Sequence, residues 1–255
     1  MDKISLFLRD PFYSFSYLLS KSNDHRTVLS LSFLTENAPS TVAATMVEAK
    51  DVVQDLNTRF QKEVEDKGAW PMNEFELAAL YVLTRTVKPN VVLETGVGHG
   101  ASSATILAAL AQNGKGSLHS IDLPNATYNV ATEEANVGWV AGSTVKDSIV
   151  GKETGWLVSE DLKSRWSLVL GSTNEKLEPV LEELGHLDIF IHDSEHTYKN
   201  MMYEYTAAWR YLGKSGWLVS DDVNWNEAFK DFARQSYSKA RIVERFGTMR
   251  KVKEF

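Results

Sequence analysis

The run Val91-Val92-Leu93-Glu94-Thr95-Gly96-Val97-Gly98-His99-Gly100, followed by Ala101-Ser102-Ser103-Ala104, decides the fold. Its first five residues read as a buried strand. The three glycines then let the chain turn sharply and bring its backbone close to a ligand. A helix of small residues follows, with its amide end aimed at the same place. The same strand, loop and helix alternation repeats downstream. Strands are expected at Ser117–Asp122, Trp166–Leu170, Leu187–His192 and Trp217–Ser220, with helices at Ala101–Gln112, Asn174–Leu184 and Tyr198–Leu212. Continuous apolar runs such as Val91-Val92-Leu93 and Ile189-Phe190-Ile191 suit a parallel sheet covered on both faces. The pattern therefore predicts an α/β class: a Rossmann-like, doubly wound, mostly parallel seven-stranded sheet with right-handed crossovers. Asn224–Ser236 reads as a further helix. Beyond it, Arg241–Phe246 and Met249–Phe255 read as two short strands around a Gly247-Thr248 turn, an antiparallel hairpin closing one edge.

Upstream, residues 1–70 read as an N-terminal helical extension, a lid or an oligomerisation element, and residues 71–255 as the catalytic domain. Thr41 to Val64 places Val42, Met46, Val53, Leu56, Phe60 and Val64 on one helical face. Gly68-Ala69-Trp70-Pro71 closes that unit, and Asn73 with Glu76 forms the reciprocal cap of the next helix. The aromatic segment Phe12–Leu19 reads as a packing surface against the main domain or a second subunit, which favours a homo-oligomer. Residues 123–165, punctuated by Pro124, Gly138, Gly142, Gly151 and Gly155, form a long insertion between the second and third strands.

Composition narrows the chemistry. The chain of 255 residues carries 34 acidic against 27 Lys and Arg residues, a net charge of −7, and no cysteine. Disulfides, thiolate zinc sites, iron–sulfur clusters and cysteine nucleophiles are thereby excluded, and a cytoplasmic location is expected. The acidic balance argues against a nucleic-acid partner held by phosphate neutralisation. No stretch approaches the roughly 18 apolar residues of a membrane span, and Asp10-Pro11 breaks the short apolar N-terminus, unlike an export signal.

Three groups of residues carry candidate chemistry. Gly96, Gly98, Gly100 and Ser102 shape a cofactor loop. A dinucleotide fingerprint would place its third small residue at Ala101, which that fingerprint tolerates, so spacing alone leaves NAD open. Glu94, two residues before the first glycine, better suits a cationic, amino-acid-bearing cofactor. Asp122, ending the second strand, is placed to accept hydrogen bonds from ribose hydroxyls. Finally, Asp193 follows one strand and Asp221-Asp222 follow its neighbour, so three carboxylates meet beside the cofactor site. Such like charges repel unless a cation joins them, and a hard, oxygen-bound ion, Mg²⁺ by default, fits. His196, three residues after Asp193, is a candidate general base near a metal-bound hydroxyl, whereas His192 reads as strand-end packing or as a support behind the site residues. His192-Asp193-Ser194-Glu195-His196 also matches a zinc-hydrolase pattern. That chemistry needs both histidines on one continuous helix, which an apolar strand ending at His192 does not provide.

In this order, and with Gly171-Ser172-Thr173 and Leu212–Asp222 between and after them, these motifs resemble class I S-adenosylmethionine-dependent methyltransferases. The similarity covers residues 73–255. It leans toward a small-molecule branch related to cephalosporin-hydroxylase-like proteins and macrolide-sugar O-methyltransferases. The resemblance implies that Asp193, Asp221 and Asp222 hold Mg²⁺, that His196 is the base, and that the acceptor is a small hydroxylated molecule. It further implies that Asp193 and Ser172 border S-adenosyl-L-methionine. Many relatives carry Gly-Asp-Ser where this chain has Gly171-Ser172-Thr173, so the adenine contact there falls to the Ser172 hydroxyl. An NAD-dependent dehydrogenase and a non-catalytic Rossmann-like binding module are the rival readings.

Overall fold

The computed structural model describes residues 23–64, 72–123 and 152–252. The aromatic segment Phe12–Leu19, the Gly68–Pro71 breaker and most of the 123–165 insertion lie outside these residues.

In the described residues, helices α1 (Asn23–Thr35), α2 (Pro39–Glu63) and α3 (Glu74–Val87) precede the first strand. The Asn73–Glu76 cap forms as expected: the Asn73 side chain accepts from the Glu76 amide at 3.0 Å, and Glu76 accepts from the Asn73 amide at 2.9 Å. Then come β1 (Val91–Thr95), α4 (Ala101–Asn113), β2 (Ser117–Asp122), a 3-10 turn at Glu160–Arg165, β3 (Trp166–Leu170), α5 (Thr173–Leu184) and β4 (Leu187–His192). The chain continues through α6 (Tyr198–Tyr211), β5 (Leu212–Ser220), α7 (Ala228–Gln235), β6 (Arg241–Val243) and β7 (Phe246–Arg250).

The strands form one seven-stranded sheet in the order β3-β2-β1-β4-β5-β7-β6. Strands β1 to β5 pair in parallel, while β7 runs antiparallel to both β5 and β6. Alternate strand residues feed two cores, as the two-residue side-chain period requires. Val92, Ile189, Ile191 and Val219 pack with apolar residues of α1 to α4 on one face. Leu93, Phe190 and Leu218 pack with those of α5 to α7 on the other. The N-terminal helices are further fastened by Glu36, at the end of α1, which pairs with Arg241 and Arg250 of the terminal hairpin. Among the described residues no helix is long and apolar enough to cross a membrane.

One expected turn moves. The hairpin reverses at Glu244-Arg245, with Glu244 at φ +55°, and not at Gly247-Thr248. Gly247 instead lies inside β7, opposite Ser220 and Ile242. A Cβ there would meet the Phe229 ring at 2.7 Å and Val223 at 2.9 Å, so this glycine admits α7 against the sheet. Strand β5 also begins earlier than its apolar run, at Leu212, which pairs with Leu187 ahead of a register shift.

Gly247→Ala should overpack this contact and lower stability by about 1–3 kcal/mol. The reading is a lower urea midpoint at constant slope; an unchanged midpoint would mean that Phe229 and Val223 yield freely.

Candidate active site

Chain connections leave β1 and β4 toward opposite sides of the sheet. A crevice therefore opens beyond their carboxyl ends, the place where open α/β sheets bind ligands. Parallel pairing continues past the strands themselves. The Gly96 amide donates to Ile121 at 2.9 Å, Asp193 to Thr95 at 2.8 Å, and Asp221 to His192 at 3.0 Å. Gly96, Asp193 and Asp221 consequently stand side by side at one rim. Gly96 has φ +85°, and a Cβ on it would lie 2.0 Å from the Asp193 carbonyl oxygen. No other residue fits between these two loops. The far end of the glycine loop is covered by the segment before β3: the Gly155 amide donates to Gly98 at 2.9 Å and that of Leu157 to His99 at 3.0 Å.

The cofactor-side residues assemble around this loop. Glu94 is fully buried; its Oε2 accepts from Ser103 at 2.6 Å and Ser120 at 2.8 Å, while Oε1 has no hydrogen-bond partner. Burial pushes its carboxyl up to about 7, against the pull of the Ser102, Ser103 and Ser120 hydroxyls. Asp122 accepts from the Gly98 amide at 2.9 Å through Oδ2 and from the Leu123 amide at 2.9 Å through Oδ1. It braces the glycine loop from the end of β2, the place where a carboxylate meets ribose hydroxyls in such sheets. Ser172 caps α5 beyond the end of β3 without spending its hydroxyl on the cap, next to Gly171, whose amide donates to the Asp122 carbonyl at 2.8 Å.

The three aspartates form the second half of the crevice. Asp193 is held well above the usual carboxylate range by burial and by Asp221 and Asp222. Asp221 is raised to about 8 by burial, Glu76 and Asp222, and its buried Oδ1 lacks a hydrogen bond. Asp222, at φ +47°, is raised by burial against the attraction of Arg245. Two residues to which the sequence reading gave no place at this site complete the cluster. Arg245, projected by the relocated hairpin turn, donates to Glu76 through Nε at 2.6 Å and Nη2 at 2.9 Å. It stands farther from Asp222, at 3.4 Å, and from Asp221, at 3.7 Å. Glu76 had shown itself only as a helix cap, and a turn placed at Gly247 hid the position of Arg245.

As placed, no three His, Asp or Glu side chains among the described residues gather tightly enough to hold a metal. The donor chemistry nevertheless fits one. The guanidinium gives its short bonds to Glu76, so Asp193, Asp221 and Asp222 remain under-neutralised, with one buried oxygen orphaned. Hard oxygen donors of this kind suit a divalent cation.

His196 lies beside them, Nε2 at 3.7 Å from Asp193 Oδ1, buried and without a hydrogen-bond partner. Burial, with His192 and Arg245, lowers its pKa to about 3, so the ring is neutral at physiological pH. Anionic character developing on an oxygen beside Nε2 would favour its protonated form. Its ring packs edge-on to His192, at 5.1 Å between centroids, and tilts against Trp225 at 5.3 Å. His192 ends β4 and α6 begins only at Tyr198, so the zinc-hydrolase geometry does not form. A cavity of about 520 Å³, lined by Val223, Asn224, Lys230, Ile242, Glu244 and Arg245, shares Arg245 with the aspartate cluster.

The profile of the family described as "Methyltransferase domain" matches residues 93–223, just over half of the chain, from the glycine loop to the three aspartates. Three solved structures are similar in fold. A Geobacter sulfurreducens methyltransferase superposes with a TM-score of 0.55 at 15% identity, over 78% of this chain and 90% of its own. The Podospora anserina methyltransferase PaMTH1, bound to SAH, gives 0.54 at 14% identity, over 80% and 88%. An O-methyltransferase from Bacillus cereus in complex with SAH gives 0.52 at 13% identity, over 88% and 95%. Identities this low establish a shared fold. No curated protein sequence matches the chain.

The raised carboxyls set a pH dependence. With Glu94 near 7 and Asp221 near 8, the folded ligand-free protein binds more protons than the unfolded chain between pH 6.5 and 8. Stability must therefore fall as pH rises through that window. The depressed His196 and His99 oppose this slope only in the lower part of the window, where their unfolded forms, titrating near 6.5, are still partly protonated. Thermal melts should show a declining midpoint from pH 6.5 to 8, with a shallower slope in Glu94→Gln. A flat or rising profile would contradict these shifts.

Proposed function

The chain belongs to the methyltransferase-domain family, and we propose that it transfers the methyl group of S-adenosyl-L-methionine to a hydroxyl oxygen of a small molecule of sugar or natural-product type. The observation that carries this reading is Glu94. A wholly buried carboxylate with an unpartnered oxygen, at the head of a glycine loop, asks for a cationic ligand group such as the methionine ammonium. Gly96, Gly98, Gly100 and Ser102 would line the same ligand, Asp122 would accept its ribose hydroxyls, Ser172 would meet its adenine, and Asp193 would border its methyl end. The SAH-bound neighbours support the choice of cofactor.

When bound, the cofactor supplies an electrophilic methyl on a sulfonium sulfur. The chain's own task is then to orient an acceptor hydroxyl and remove its proton. His196 Nε2, neutral and unpartnered, takes that proton as the acceptor oxygen forms its bond to the methyl carbon. S-adenosylhomocysteine would be the product that keeps the electron pair of the broken carbon–sulfur bond. Asp193, Asp221 and Asp222 would hold Mg²⁺, whose Lewis acidity lowers the pKa of an acceptor hydroxyl. Trp225, exposed beside His196, gives the acceptor a wall. Much of the acceleration would come from holding two reactants in line.

Residues 1–70 are assigned as the extension that serves as a lid or an oligomer contact, and residues 71–255 as the catalytic domain of a cytoplasmic homo-oligomer. The aromatic stretch Phe12–Leu19 and the cysteine-free composition support that assignment.

Isothermal titration should give saturable heat with S-adenosylmethionine and none with NAD; the opposite pattern would install a dehydrogenase in its place. Asp122→Ala should weaken cofactor binding by about tenfold or more, the loss of hydrogen bonds to a charged group. Turnover is read as S-adenosylhomocysteine formed with a panel of sugar and catechol acceptors. His196→Ala should lower it by about 10²–10⁴-fold while leaving Mn²⁺ affinity unchanged, whereas Asp222→Ala should lose both. Full turnover after EDTA treatment would remove the metal from the mechanism.

A further inference from the structure

One buried carboxylate takes no part in the chemistry above. Glu204 sits on α6 among the apolar Met201, Tyr205 and Ala208, fully shielded from solvent. Its Oε2 accepts from the Thr95 hydroxyl at 2.6 Å and from His192 Nδ1 at 2.7 Å. Its Oε1 accepts from the Ser194 hydroxyl at 2.7 Å and from Asn200 Nδ2 at 2.9 Å. Thr95 is the last residue before the glycine loop; Ser194 lies between Asp193 and His196. Asn200 extends the hold, since its Nδ2 also donates to the Glu195 carbonyl at 3.0 Å. We infer that Glu204 is a positioning residue for methyl transfer: one carboxylate on α6 sets the spacing between the cofactor loop starting at Gly96 and the Asp193–Thr197 loop that carries His196.

Energetics separate this role from mere support of the core. Burying a carboxylate is costly and is offset only when its lone pairs are satisfied, as four donors do here. An apolar side chain of similar size would hold helix and sheet together at least as well. What it would not do is bond two loops at once. The His192 ring fixed by Oε2 is also the ring against which His196 packs edge-on, at 5.1 Å. Glu204 therefore orients the base through His192, as well as tethering its loop through Ser194 and Asn200.

The inference rests on the methyltransferase reading for its functional meaning, so the test carries a readout independent of it. Glu204→Met removes every bond while keeping bulk; Glu204→Gln keeps an acceptor for one loop and lets the Thr95 or Ser194 hydroxyl turn to accept from its amide. In Glu204→Met, hydrogen exchange of the amides in 96–100 and 193–197 should accelerate at least tenfold, with β1 and β4 amides unchanged. The imidazole ¹⁵N resonances of His196 should shift or broaden, and Glu204→Gln should restore them in part. Unchanged loop exchange and unchanged His196 resonances would overturn the proposal, as would acceleration spread evenly over β1 and β4. Should the Met variant not fold, the Gln variant decides: wild-type exchange and His196 signals in it would overturn the positioning role, and local acceleration would support it. Titration of the wild-type protein with S-adenosylmethionine is run alongside. Local effects in a protein that binds no S-adenosylmethionine would uphold the coupling of the two loops and overturn its assignment to methyl transfer.

Discussion

The 2.8 Å hydrogen bond from the Asp193 amide to the Thr95 carbonyl carries β1–β4 pairing one step beyond the strands, and the crevice is built around it. It brings the first residue of the aspartate loop against the first residue of the glycine loop, so closely that only glycine fits at 96. With Asp221 bonded to His192 in the same manner, three loop starts share one rim. A register slip of one residue would turn Glu94 and Ile191 to the wrong faces and dissolve both halves of the site. Paired parallel strands thus do more than build a core here: they dictate which side chains can meet.

Two kinds of buried carboxylate result. Glu204 has donors for both oxygens, and although burial alone would raise its pKa, His192, Thr95 and Ser194 hold it down to about 2. Glu94 and Asp221 each keep one oxygen without a hydrogen bond and are raised to about 7 and 8. The first pattern belongs to a group whose partners are supplied by the fold. The second belongs to groups left short of positive charge, and it separates framework from ligand-facing acids on physical grounds. Arg245 marks the boundary between them, because it satisfies Glu76 with two short bonds and reaches Asp221 and Asp222 only at longer range.

Much of this was readable in the chain itself. The apolar runs at Val91–Thr95 and Leu187–His192 are strands to the residue, and Asn73–Glu76 caps α3 through both of its expected bonds. Local periodicity and capping chemistry act over a few residues, so they survive being read without a fold. The terminal hairpin forms as expected, but its turn does not fall where the sequence suggests. Gly247-Thr248 looks like a turn, yet the space that this glycine leaves is claimed by Phe229 and Val223 from other elements. Glu204 left a faint signal, a charge on the same helical face as Met201, Tyr205 and Ala208, without any indication of its four donors.

From sequence alone come the alternation of strands and helices, the glycine loop, and the placing of acids at strand ends, because each depends on short-range periodicity and on the direction in which parallel strands run. Which acid receives which partner was decided by tertiary structure. Glu76 and Arg245 are 169 residues apart along the chain, and Thr95 and Glu204 are 109 apart. Hydrogen bonds and charge pairs act over a few ångströms of space whatever the separation in sequence, so only the folded sheet could assign them.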